Sequence, residues 1–278
     1  KKKAKWTFGG NSMATINYRL QKIAEDLFIK YNSKERVYID EKIENFKKNI
    51  KLYFGNAVDE ILVFGSYKRS TILPREFDEN SDIDVLIVFN QQINSFNSET
   101  YRNHIKRFAL AKYPTTKVVK DHPSVVLEMQ KIKFDLVPSK YVSTFWTQTY
   151  QIPNRESVWT NTDPIGFNNL LTERNNKYNS IVKPIIRLIK RWNAANDYPY
   201  KTFELEKIIA DMNFSGDNYE KGFIYAVENL PTNNLGIFQT AKVQTLQKNV
   251  NQIKQYLEIG NQQKAEETVL NILNLRYK

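Results

Sequence analysis

The chemistry this chain could do is concentrated between Ile61 and Phe89, in the run ILVFGSYKRSTILPREFDENSDIDVLIVF. It sets a Gly65-Ser66 pair after one β-rich segment and Asp82 and Asp84 at the head of the next. Side chains two apart on a strand point the same way, so the two carboxylates should project together while Ile83 and Val85 turn into a core. Acids sharing a face repel one another unless a cation sits between them, and a hard divalent ion with oxygen ligands suits the pair. Asp135, in KIKFDLVP, offers a third carboxylate from another strand. Three acids delivered by one sheet could hold two ions, one activating an attacking hydroxyl and one steadying a triphosphate and its leaving group. Magnesium is the expected metal, with manganese as a substitute, and nucleoside triphosphates are the expected substrates. Gly65 and Ser66 fit as a phosphate cradle, because glycine lets the backbone come close while the serine hydroxyl and the amides of a following helix can donate. Alone, a Gly-Ser pair is a turn and two spaced acids are a strand end; it is their joint order that points to phosphoryl transfer.

Positioning such groups takes a sheet. From Glu60 to Pro138 the chain reads as short β-rich runs interrupted by a helix over Ser98 to Lys112, which predicts a mixed sheet with helices packed on it. Ahead of it, amphipathic spacing predicts helices over Thr15 to Lys30 and Asp40 to Tyr53, with Ile43, Phe46, Ile50 and Phe54 on one face and Gly55 ending the second. Beyond Gly166 helices dominate, starting with Ile181, Ile185, Leu188, Ile189 and Trp192 at helical spacing. Later ones are expected over Phe203 to Met212, Asn218 to Glu228, Ala241 to Glu258 and Gln262 to Leu273. The expected division is a leader-like segment over residues 1–12, a catalytic core with its N-terminal helices over 13–165, and a helical lobe over 166–278.

The 278 residues can bury a sizeable core, and 41% apolar with 26% charged residues describes a globular chain. A net charge of +11 favours polyanionic partners, although the four lysines of the opening segment carry part of it and +7 remains without them. The absence of cysteine removes disulfides, thiolate zinc sites and cysteine nucleophiles. Apolar runs such as Val85 to Phe89 are far shorter than a membrane span, so a cytoplasmic protein without membrane contact is expected. His104, on a predicted surface helix, and His122, in a DHP turn, are not needed as bases when a metal lowers the pKa of the attacking hydroxyl. Trp146, Trp159 and Trp192 read as packing residues.

The order of Gly-Ser, two spaced aspartates and a later strand aspartate resembles the Pol-β-like nucleotidyltransferase superfamily. KPIIRLIKRWNAANDYPYKTFELE, Lys183 to Glu206, looks like the spine-helix region of the CD-NTase family, the cGAS-like synthases of bacterial CBASS anti-phage defence. The stretch from Gly65 to Phe89 is most similar to its clade E, and the likeness as a whole covers Ile61 to Met212. It implies an α+β fold, a Pol-β-like core with mixed sheet and helices plus a C-terminal helical lobe, with the active site in the cleft between them. By the same resemblance Asp82, Asp84 and Asp135 are the metal ligands and catalytic acids, Gly65 and Ser66 contact the donor triphosphate, and Lys190 and Thr202 touch its oxygens. Threonine stands at 202 where serine is common in the family, and the hydroxyl is kept. The implied activity joins ATP, UTP or GTP into a cyclic di- or oligonucleotide second messenger with release of pyrophosphate.

Independently of any family, Lys183, Arg187 and Lys190 recur at i, i+4 and i+7, a basic stripe that could face a ligand or simply water. For base recognition, Tyr67 could stack on a base or pack inside, and Asn154 corresponds to a clade E position involved in recognising uracil, or makes an ordinary Pro-Asn turn with Pro153. A transferase acting on an RNA, small-molecule or protein acceptor would use the same acids, and an inactive nucleotide- or RNA-binding scaffold is the second alternative. Without a zinc-ligand cluster no obligatory nucleic acid is expected. A protein activator stays open, and the chain is expected to act as a monomer.

Overall fold

The computed structural model describes residues 4–6, 15–93, 95–121, 123–129, 132–143, 148–154 and 156–277. His122, Trp146 and most of the opening segment lie outside them. In chain order the elements are β1 (Ala4–Trp6), α1 (Ile16–Asp26), α2 (Lys34–Phe54), β2 (Val58–Phe64), α3 (Gly65–Arg69), β3 (Ile83–Phe89) and α4 (Ser98–Lys112). There follow β4 (Lys117–Asp121), β5 (Ser124–Glu128), β6 (Lys133–Ser143), β7 (Gln148–Pro153), β8 (Trp159–Thr162) and α5 (Gly166–Lys177). The remainder comprises α6 (Val182–Ala195), α7 (Thr202–Ala210), α8 (Tyr219–Glu228), α9 (Ile237–Glu258), α10 (Gln262–Ile272) and β9 (Leu275–Tyr277).

The chain divides into two compact units that interleave in sequence. One contains residues 29–72 and 80–170, the other residues 1–28, 73–79 and 171–278. Helix α1 and the short segment 73–79 thus fall with the helical unit rather than with the sheet.

The sheet unit is built on strands in the order β2-β3-β6-β5-β4, extended from β6 through β7 to β8. β3 and β6 run parallel and the other pairs run antiparallel. Alternation sorts its two faces. Ile83, Val85, Ile87 and Phe89 of β3 and Phe134 and Leu136 of β6 join Ile43, Phe46 and Ile50 of α2 and Ile105 and Phe108 of α4 in one core. The Phe46 and Phe134 rings stack at 5.1 Å, tying α2 to β6. Each such buried side chain stabilises by roughly 1.5–3 kcal/mol, and slipping a strand by one residue would turn the whole set outward. The apolar positions therefore fix the phase that sends Asp84 and Asp135 to the opposite face.

Helix ends follow local chemistry. Thr15, Ser33 and Asn97 cap α1, α2 and α4 through side-chain oxygens that accept from the third residue on. The Ser33 cap starts α2 six residues earlier than its apolar face suggested, and Gly55, at φ +54°, ends it. The hairpin of β7 and β8 was not legible in sequence, because TYQIP and WTNT carry little apolar alternation.

In the helical unit α6 is buried on nearly every side, from Val182 through Asn193 with only Lys183 excepted. Its polar side chains are satisfied inside. Arg191 donates to the carbonyls of Phe77, Leu273 and Asn274, and Asn193 pairs both ways with the Tyr200 backbone. β1 and β9 form a separate two-stranded parallel ribbon. Among the described residues no helix is long and apolar enough to cross a membrane.

Candidate active site

Strand register brings the acids together. Asp84 on β3 lies directly beside Asp135 on the parallel strand β6, and on its other side pairs with Phe64, the last residue of β2. Partners in register on neighbouring strands project to the same face. Asp82, two residues ahead of Asp84, stands at the mouth of β3, and all three acids keep partial access to solvent. Asp82 Oδ2 lies 4.0 Å from Lys133 Nζ, and Ser124 Oγ donates to Asp135 Oδ2 at 3.5 Å. Lys133 and Ser124 escaped the sequence reading, although each heads a strand that borders the acids.

Gly65 is required here. Its φ is +70°, and a Cβ added to it would fall 1.8 Å from Asp84 Oδ2, so the carboxylate occupies the space a side chain would need. The following Ser66 is half-buried, and its hydroxyl makes no hydrogen bond to the described protein, leaving it free to donate. The Ser66 carbonyl accepts from the amides of Thr71 and Ile72 at 3.0 and 3.1 Å, which ties down the turn after α3.

Among the described residues no group of three or more His, Asp or Glu side chains stands arranged to ligate a metal ion. The donors present nevertheless fit magnesium, which needs only one or two carboxylates when substrate phosphates and water complete its shell. Asp84 and Asp135 supply that pair of hard oxygens side by side, with Asp82 next in line.

Other expected site residues sit elsewhere. Tyr67 is a core residue, 3% exposed. Its hydroxyl donates to Asp40 Oδ1 at 2.6 Å and the Arg36 guanidinium covers its ring at 4.2 Å. Burial first, then the Asp40 bond, pushes its phenol well above the ordinary tyrosine range. No ring face is left for a base, and this corrects the stacking expectation. Tyr67→Phe should cost about 1 kcal/mol of stability, seen as a lowered midpoint in urea, with nucleotide affinity unchanged. Asn154 organises the turn between β7 and β8: its Oδ1 accepts from the amides of Glu156 and Val158 at 2.9 and 3.0 Å. His104 packs edge-on against Phe96, and burial followed by Arg107 holds it below its ordinary pKa.

In the helical unit the basic stripe divides. Lys183 reaches Thr172 Oγ1 at 3.3 Å on the surface. Arg187 is buried, donating to the Ala24 carbonyl at 3.2 Å and lying over the Phe28 ring, so it fastens α1 to α6 rather than facing a ligand. Lys190 is 4% exposed and pairs at 2.8 Å with Glu206, which is fully buried. Removing one member of such a pair costs about 3–5 kcal/mol, because a charge stays behind in the interior. Lys190→Ala should therefore lower stability by that amount in chemical denaturation, and Lys190→Met combined with Glu206→Gln should restore most of it. Thr202 opens α7 half-buried, its hydroxyl bonded to no described group.

A mixed sheet backed by two helices, with a glycine turn closing on the first of two in-register strand acids, is the core of a Pol-β-like nucleotidyltransferase. The model of the Second Messenger Oligonucleotide or Dinucleotide Synthetase domain matches residues 13–175, and the chain belongs to that family, the CD-NTases. A "probable cyclic nucleotide synthase" of Bacillus cereus is 27% identical over 68% of this chain and 66% of its own length. The cyclic AMP-AMP-AMP synthase of an Acinetobacter species is 29% identical over 60% of this chain and 50% of its own. The chain thus spans between half and two thirds of these curated relatives. Among solved structures, the CD-NTase CdnG of Bradyrhizobium diazoefficiens, in complex with GTP, has the same fold at a TM-score of 0.69. That likeness covers 92% of this chain and 97% of the other at 13% identity.

Proposed function

We propose that the chain is a magnesium-dependent nucleotidyltransferase that joins nucleoside triphosphates into a cyclic di- or oligonucleotide signal, releasing pyrophosphate. The observation that carries this reading is the placement of Asp84 in register with Asp135 and in contact with Gly65. A divalent ion, when bound, would lower the pKa of an attacking ribose hydroxyl and offset the charge of the triphosphate. Asp84 and Asp135 would hold it, and Asp82 would complete the acidic face. Gly65 keeps the backbone low enough for phosphate to approach, and the Ser66 hydroxyl donates to a phosphate oxygen. Thr202 is a second hydroxyl donor for the triphosphate. The pairing of Asp84 with Asp135 on adjacent strands supports a transferase; the likeness to cyclic nucleotide synthases supports ring closure, and the CD-NTase relationship supports a role in anti-phage signalling.

A uridine-containing product would draw on the Asn154 amide nitrogen, since its oxygen is committed to the turn. Purified protein given all four nucleoside triphosphates and magnesium, without an acceptor, should form a phosphatase-resistant product whose mass identifies bases and ring size. If nothing forms until an RNA, small molecule or protein is added, the enzyme is an acceptor-directed transferase instead. Chelation by EDTA should stop the reaction and added magnesium should restore it.

A further inference from the structure

The helical unit contains a second set of ligand-ready groups. Where α6 ends, α9 and the turn between α10 and β9 line an open cavity of about 430 Å³, within the size range of small-molecule sites. Its lining is unusual in chemistry: four asparagines, Asn196, Asn249, Asn271 and Asn274, border it, with Trp192 among the apolar residues of its wall. Asn196 Nδ2 is spent on the Trp192 carbonyl at 2.8 Å. The carboxamides of Asn249, Asn271 and Asn274 make no hydrogen bond to any described group. Each carboxamide carries two donors and an acceptor that the described protein does not use.

Lys242 supplies the cavity's charge. Its ammonium donates to the Asn196 carbonyl at 2.7 Å and lies 3.4 Å from Asp197 Oδ2, a partly exposed pair of small energetic worth. The backbone beside the cavity is held in sparsely populated conformations. Asp197, Tyr198 and Asn274 have φ of +59°, +52° and +52°, and for a residue as bulky as tyrosine that is costly. Tyr198 is kept there by its hydroxyl, which donates to Asp78, and by its amide, which donates to the Asn193 carbonyl at 2.9 Å. Asn274 is fixed through its carbonyl, which accepts from Arg191 at 3.2 Å.

From these groups we infer that the cavity is a binding site for a nucleobase, carried by a nucleoside or nucleotide and bound by residues other than the catalytic acids. Asparagines around a small space can match the mixed donors and acceptors of a base edge, and an amide can bond two adjacent positions of adenine at once. Apolar wall atoms suit the faces of a flat heterocycle. A purely anionic ligand would call for more than one cation, and a hydrocarbon would leave the three amides unmet. Occupancy of this site does not depend on the synthase reading.

The test uses the full chain and plain nucleosides, which lack the triphosphate a donor must carry. Equilibrium dialysis of labelled adenosine, guanosine and uridine should find one saturable site for at least one of them. Asn249→Ala with Asn271→Ala, both on helices and neither in a strained conformation, should weaken it about tenfold or more. Asp84→Asn should leave it unchanged. Loss of binding in Asp84→Asn would assign the nucleoside to the acidic site and overturn the inference. So would unchanged affinity in the double asparagine variant, or no binding of any nucleoside at millimolar concentration. Unaltered circular dichroism of the double variant guards against a folding artefact.

Discussion

Replacing Asp84 by asparagine should lower the rate of product formation from nucleoside triphosphates by about a thousandfold or more while leaving the protein folded. The substitution keeps the shape of the side chain, so the contact with Gly65 and the pairing of β3 with β2 and β6 remain. What disappears is the charge that, with Asp135, makes this face of the sheet attractive to a divalent cation. Because groups that act as a unit lose their effects non-additively, Asp84→Asn combined with Asp135→Asn should be little slower than either alone. Single-turnover rates with magnesium in excess provide the measurement. A rate within tenfold of the parent enzyme would place the chemistry on other residues.

Gly65→Ala is the second large effect, and its cause is steric. The new methyl group would stand 1.8 Å from Asp84 Oδ2 at a residue whose φ is +70°, so either the carboxylate swings away or the turn after β2 rearranges. Holding a non-glycine residue in this conformation costs about 1–3 kcal/mol, and the displaced carboxylate should reduce turnover about a hundredfold or more. Chemical denaturation should show the first effect and product formation the second. Gly55→Ala is the matched control. It too has positive φ, at +54°, but meets nothing within 4 Å, so it should lose stability and keep its turnover per folded molecule.

How much of the site was legible in sequence follows from the range of the interactions concerned. Asp82 stands immediately ahead of the strand that carries Asp84, and Gly65 and Ser66 are adjacent at the start of α3, so short spacings and turn chemistry were enough to find them. Asp135 was legible because Phe134 and Leu136 on either side are apolar. Tyr67 and Arg187 were not. Tyr67 is claimed by Asp40 and Arg36 from α2, and Arg187 by Ala24 and Phe28 from the start of the chain. No local pattern encodes a partner so distant in sequence. The same holds for the cavity between α6, α9 and the end of α10, whose asparagines are scattered over the last third of the chain and belong to no motif.

The sequence by itself determined the mixed sheet, the helical C-terminal portion, most helix ends, and the acids and glycine of the candidate site, since these depend on period, capping and short spacings. Tertiary structure alone decided that Asp84 lies in register with Asp135 and that Gly65 makes room for it. It also turned α6 into a helix buried almost all round, its Lys190 locked to Glu206. Register, close approach and charge pairing are set when remote elements pack together, and burial of apolar faces supplies the free energy that holds them there.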